Sequence, residues 1–227
     1  MDKTEILFKS EGWQAVYKIG YYAEIFAIFV ENYNELMKAI TEIQTSKEPV
    51  LAHFSQTHLS RYLFNFLASA TALKGNCYVL MENYKNTEIW VKYKEAINKY
   101  FLNNDLVVFI NDFRNYQTHY KVEISYISTK DKVVFATDKL LEHLKQWNGV
   151  SKKFINNSGA EIIVQDVCEK YYKLNEEFCL WLINELKSFH INDIKRIEQT
   201  ANSFDIELPE IYKHKLYALQ LTSKITL

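Results

Sequence analysis

The sequence predicts a mainly all-α protein: a bundle of long helices with one inserted β-hairpin. Three observations carry that expectation. Only 5 Gly and 2 Pro punctuate the 227 residues, so the backbone has few places at which a helix must stop. Apolar residues recur at three- and four-residue steps along most of the chain. The period changes to two at one place only, directly after His119.

The elements follow in order. From about Trp13 to Ile43 an apolar stripe runs through Ile19, Tyr22, Phe26, Phe29, Tyr33, Leu36 and Ile40, and Gly20 weakens that helix without ending it. "TSKEPV" breaks it at Pro49. A second helix is expected with Thr57 as its cap, running from His58 to about Tyr84 along Leu59, Leu63, Phe66, Leu67, Ala70, Leu73, Cys77 and Leu80. A third spans about Thr87 to Phe101 and carries Ile89, Val91, Tyr93, Ile97 and Tyr100. "NND" (103–105) supplies a turn and a cap for the next helix, Asp105–Tyr120. "YKVEISYI" then alternates apolar with polar residues, "STKD" is turn chemistry and "KVVFA" a partner strand, which places a hairpin near 121–136. Helical patterning resumes at "DKLLEHLKQW" (138–147), which "NG" (148–149) is expected to stop. A long amphipathic helix follows from about Ala160 to Phe189, then another from Ile191 to about Phe204, and Pro209 breaks the pattern. "IYKHKLYALQLTSKITL" is assigned to neither period. With no repeat and no clean linker, residues 1–227 read as one domain: core helices at about 13–120, the hairpin at 121–136 and C-terminal helices at 138–204.

Composition excludes several classes. Apolar residues at 48% argue against extensive disorder. A net charge of −1 lacks the basic excess of proteins that coat nucleic acid, so any such contact must be a local patch. No window offers the roughly 18 uninterrupted apolar residues of a membrane span. Cys77, Cys168 and Cys179 form no C-x-x-C, and with the charged start "MDKTEILFKSEG" they fit reduced thiols in a cytoplasmic protein.

One stretch departs from generic helix: "FINDFRNYQTHY", residues 109–120. On a wheel of about 100° per residue, Leu106, Ile110 and Phe113 cluster within about 60°. Arg114, Asn115 and His119 share a separate arc of about 140°, joined by Asn111 and Thr118. That face reads either as a solvated surface whose terminal His is favoured by the helix dipole or as a binding site. The wheel does not decide between them.

The stretch resembles the signature of the HEPN family: Arg, then a polar residue, then His after a gap of four to six. Here it stands as Arg114-Asn115-Tyr116-Gln117-Thr118-His119, with Asn in the preferred second position. The preceding "LFNFLASATALKGNCYVLMENY" (63–84) is similar to the family's earlier core helix, and the likeness covers about residues 59–120. It implies a helical bundle that is a homodimer, pairing two Arg114/His119 faces around a shared cleft. It further implies RNA as partner and either of two activities. One is metal-independent endoribonuclease chemistry in toxin–antitoxin, antiviral or stress systems, with an antitoxin or regulatory protein. The other is non-catalytic binding of RNA or a nucleotide, or a scaffold role. Arg114, Asn115 and His119 become the catalytic candidates, with Asn111, Thr118 and Tyr120 as weaker substrate contacts. In some family toxins a Tyr two residues beyond the His is modified by a nucleotidyltransferase; Lys121 stands there, so that regulation does not carry over.

The residue types suit the chemistry on their own account. Cleavage of RNA by its 2′-hydroxyl needs a proton acceptor near neutral pH, the range of a His such as His119. The phosphate gains negative charge that a guanidinium fork such as Arg114 can clamp. Asn115 can orient the ring or donate to a phosphate oxygen. No cofactor and no metal are expected: the remaining His are scattered, and neither G-x-x-x-x-G-K-[ST] nor G-x-G-x-x-G occurs. The three Cys lie on apolar stripes, where buried inert thiols are commoner than nucleophiles.

Overall fold

The computed structural model describes residues 2–45, 49–119, 124–127, 132–142 and 144–222, with side-chain detail at all of these but 49–57, 124–127, 144 and 220–222. Among them are ten α-helices and three short strands, so the protein is mainly α-helical with an inserted β-hairpin. The helices are α1 Lys3–Lys9, α2 Glu11–Thr45, α3 Pro49–Glu82, α4 Glu88–Tyr100, α5 Asp105–His119, α6 Thr137–Leu141, α7 Gly149–Asn157, α8 Val164–Phe189, α9 Ile191–Phe204 and α10 Glu210–Thr222. The strands are β1 Ile124–Ile127, β2 Lys132–Ala136 and β3 Glu161–Ile163.

The expected apolar stripes are the buried ones. Ile19, Tyr22, Phe26, Phe29, Leu36 and Ile40 of α2 are buried, as are all eight residues of the α3 stripe. On α4 Ile89 and Tyr93 are buried and Ile97 and Tyr100 half-buried, while Val91 lies on the outer face at 52% exposure.

Three local expectations need correction. α3 begins at Pro49, not at Thr57, which lies inside the helix. A proline in the first turn forfeits only an N–H that has no helical partner anyway, so the residue that ends one helix can start the next. "NG" does not stop a helix but starts one: Asn148 is the N-cap of α7, its side-chain Oδ1 accepting from Ser151 N at 2.9 Å. The long helix begins at Val164, because Glu161–Ile163 is a third strand pairing antiparallel with β2 (Val134↔Ile163, Ala136↔Glu161). The tail assigned to neither period is helical as α10 as far as Thr222; 223–227 lie outside the described residues. The hairpin itself has the register Ile124↔Phe135 to Ile127↔Lys132; its expected turn residues 128–131 and the flank 120–123 lie outside the described residues.

The chain forms two compact units, each described by itself. The first comprises residues 1–27, 73–96 and 176–227. Its interior joins Tyr22 and Cys179, whose Oη and Sγ lie 3.1 Å apart, and stacks Trp13 on Tyr212 at 4.8 Å. α10 docks here through the buried Tyr212, Lys215 and Leu219. The Lys215 ammonium pairs with Glu24 and lies 5.5 and 5.3 Å from the rings of Tyr17 and Tyr21. Gly20 makes that approach possible, since a Cβ there would stand 2.8 Å from Lys215 Cβ and 3.0 Å from its carbonyl oxygen.

The second unit comprises residues 28–72 and 97–175. Phe29 stacks on Phe66 at 5.3 Å and on Tyr172 at 5.7 Å, and Tyr33 stacks on Tyr172 at 3.9 Å, which ties α2, α3 and α8 together there. The sheet belongs to this unit, with β2 central and Val133, Val134 and Phe135 all buried.

Two glycines predict opposite outcomes. Replacing a mid-helix Gly by Ala gains up to about 1 kcal/mol of helix propensity where space allows. Gly75→Ala meets nothing within 4 Å, so its melting temperature should rise. Gly20→Ala collides with the α10 backbone and should lower it. A rise in both variants would mean that α10 is not seated on α2 as described.

Candidate functional site

The candidate site is the exposed face of α5, and its support starts at the helix's first turn. Asn103 adopts φ +58°, a left-handed turn that Asn tolerates, and Asn104 Oδ1 accepts from Leu106 N at 3.1 Å and Val107 N at 3.4 Å. The expected turn and cap in "NND" are therefore both present.

The buried side of α5 is an aromatic face. Phe109, Ile110, Phe113 and Tyr116 are buried, with Val107, whereas Leu106 is only half-buried. The stripe is thus rotated towards Phe109 and Tyr116 from the expected Leu106–Ile110–Phe113 line. The reason is the partner: a second set of rings lies there. Phe109 stacks on Phe154 at 4.6 Å, Tyr116 on Trp147 at 4.9 Å, and Phe113 packs against Phe135 of β2 at 4.7 Å. Trp147 is fixed in turn by its Nε1–H donating to Leu140 O at 2.7 Å.

One carboxylate locks the flank. Asp112 Oδ2 accepts from Ser151 Oγ at 2.7 Å and from Asn148 N at 3.0 Å, so it satisfies two donors at the first turn of α7, where the helix dipole favours an anion. On the opposite flank Gln117 Nε2 donates to Ser60 O of α3 at 3.4 Å.

With both flanks held, the outer face is committed to solvent. Arg114, Asn115 and His119 are all exposed, as are Asn111 and Thr118. Arg114 Nη1 donates to Asn115 Oδ1 at 3.3 Å, which orients the amide so that its N–H₂ points away. Thr118 Oγ1 spends its proton on Arg114 O at 2.9 Å and keeps only acceptor capacity. His119 is the last residue of α5. Tyr120 lies outside the described residues. The face thus offers a guanidinium, an amide and an imidazole on one side of a helix anchored on the other, a set able to grip an anion and to pass a proton.

The other chemistry-bearing side chains are placed differently. Burial pushes the Cys77 thiol up to about 11 and that of Cys168 to about 12, and raises Cys179 as well. All three are buried and free of disulfides, as inert packing thiols are. Among the described residues no group of three His, Cys, Asp or Glu is arranged to hold a metal ion, and no helix is long and apolar enough to cross a membrane. His58 is exposed and His214 Nδ1 faces Glu24 Oε1 at 3.2 Å.

One cluster was not visible in the sequence. His190 Nδ1 lies 3.3 Å from Asp193 Oδ2 and its Nε2 lies 3.1 Å from Tyr84 Oη, in the first unit. The His-x-x-Asp spacing is legible, but Tyr84 is 106 positions away. Tyr84 is 5% exposed, and burial raises its phenol to about 12, so the group clamps the end of α3 to the start of α9.

Comparison of the chain with protein-family models, with curated proteins and with solved structures gives no match in any of the three.

The buried thiols set a pH dependence. Their proton is held more tightly in the fold than in the unfolded chain, so the stability they contribute is complete below the ordinary thiol value of 9.0. It is lost as pH rises towards about 11 for Cys77 and about 12 for Cys168. Denaturant midpoints should fall between pH 8 and pH 10.5, and Cys168→Ala should make that fall shallower. An unchanged slope in Cys168→Ala would show that this thiol is not held protonated. Asp112→Ala, which strands the Ser151 hydroxyl and the Asn148 N–H, should cost about 1–3 kcal/mol; a loss within about 0.5 kcal/mol, as at a surface site, would remove Asp112 from the anchoring role.

Proposed function

We propose that the protein is a metal-independent endoribonuclease of HEPN type that cleaves single-stranded RNA through its own 2′-hydroxyl, acting as a toxin or as an antiviral or stress effector. The observation that carries this reading is the joint exposure of Arg114, Asn115 and His119 on one face of α5, a face whose orientation is dictated by the aromatic packing behind it. In this reading His119 accepts the 2′-hydroxyl proton, Arg114 holds the non-bridging phosphate oxygens as their charge grows, and the Asn115 amide donates to phosphate or to the imidazole.

A single such face has one base and no separate acid for the departing 5′-oxygen. A homodimer with two α5 faces meeting across a twofold axis supplies both, with two Arg and two His around one phosphate. A regulatory protein or antitoxin would act by covering this face.

Purified protein in excess chelator should cut single-stranded RNA and leave 2′,3′-cyclic phosphate ends. His119→Ala should reduce the rate by about 10²–10⁴-fold and Arg114→Ala by about 10²–10³-fold. Both side chains are exposed, so melting temperature should stay unchanged within the effect of about 0.5 kcal/mol typical of surface sites. RNA or a nucleotide retained uncut would instead assign a binding or scaffold role. Stable, fully active variants would move the site off α5. Light scattering should give twice the 26.9 kDa chain mass, and a monomer at micromolar concentration would exclude the shared cleft.

A further inference from the structure

We infer that Lys145 is a second phosphate-contacting residue of the α5 face, an inference that rests on the RNA reading above. Three contacts fix the register between α5 and the segment that packs on it: Phe109 with Phe154, Asp112 with Ser151, and Tyr116 with Trp147. As one number rises the other falls by the same step, so the two segments run antiparallel. Continuing that run towards the end of α5 sets the single 3₁₀ turn Leu144–Gln146 level with Gln117–His119, and the turn does pack against α5.

The flank is also the right one. Asp112 and His119 are seven residues apart and fall within about 20° of each other around the helix, so the elements that reach Asp112 lie on His119's side. Lys145 is exposed in that turn, and register and flank together set the turn beside the last turn of α5, on the side of His119 away from Arg114. A phosphate approaching this end of α5 meets the carbonyl end of the helix, where the dipole repels anions. Cations on both sides of His119 offset that repulsion, and RNA presents successive phosphates for two of them. Asp112, the nearby carboxylate, is already engaged by Ser151 and Asn148.

The test is binding of a labelled single-stranded RNA by the full chain carrying His119→Ala, which prevents cleavage, titrated over a range of salt. Lys145→Ala should weaken affinity about fivefold near 0.1 M salt and lower the slope of log affinity against log salt by about 0.7, the signature of one lost phosphate contact on a single strand. Lys145→Arg should restore both. Lys170→Ala, an exposed lysine of α8 in the same unit, should change neither. In the chain with His119 intact, Lys145→Ala should raise KM and leave kcat within about twofold, as loss of uniform binding does. If Arg114→Ala weakens binding while Lys145→Ala does not, Lys145 has no such role and the RNA reading stands. An equal effect of Lys170→Ala would reduce the result to general charge and overturn the assignment. Failure of the starting protein to bind RNA at all would remove both readings together.

Discussion

The placement of the α5 face depends on how the opposite side of that helix is held. Phe109, Phe113 and Tyr116 are buried against Phe154, Phe135 and Trp147, and aromatic pairs of this geometry contribute about 0.5–1.5 kcal/mol each beyond the burial of their area. Ring packing alone would tolerate some rotation of the helix. The Asp112 carboxylate does not, because it must meet a hydroxyl and a backbone N–H at 2.7 and 3.0 Å together. A rotation of one residue, about 100°, would bury Arg114 or expose Phe113. Either change costs far more than a surface face gains, so the direction of Arg114, Asn115 and His119 is a consequence of the core.

The first unit solves a different problem, the seating of a C-terminal helix that is not strongly amphipathic in sequence. Lys215 is buried, and an ammonium in that position is tolerated only when paired. Glu24 supplies the charge and the faces of Tyr17 and Tyr21 supply the rest. Ile211 and Tyr217 of the same helix stay exposed, which is why "IYKHKLYALQL" shows no clean period: one of its inward positions is a lysine. The helical outcome depends on a partner, Glu24, that stands nearly two hundred residues earlier.

That contrast explains what was legible beforehand. Helices whose inward positions are almost all apolar, α2, α3, α5 and α8 (Ser69 and Asn175 are the buried polar residues among them), could be read from spacing, and so could the outward direction of Arg114, Asn115 and His119. The hairpin was visible because alternation and helical spacing cannot coexist in one segment. What escaped depends on context. Pro49 and Asn148-Gly149 have the same local chemistry at a helix start as at a helix end, and only the neighbouring chain decides. β3 is three residues long, too short for any period, and exists because β2 offers an edge to pair with. The rotation of the α5 stripe towards Tyr116 came from Trp147, just before α7, and Phe154 within it, a segment whose docking no local pattern announces.

Charge sets the remaining constraint on the proposed reading. A chain of net charge −1 has no long-range attraction for a polyanion, and screening at physiological salt erases what little field it has beyond about 8 Å. Recognition of RNA here must therefore come from groups within one side-chain length of the phosphate. On a helix that ends at His119 those groups also work against the carbonyl end of the dipole. One guanidinium is a thin answer to both demands. Two arrangements strengthen it without altering the sequence's overall balance: a neighbouring segment that brings a lysine alongside, and a twofold axis that doubles every cation at the cleft. The first is the role proposed for Lys145, and the second is the proposed homodimer. Both would concentrate positive charge at one point of an otherwise neutral molecule, which on the proposed reading would favour a short single-stranded segment over a duplex whose phosphates would extend past the patch.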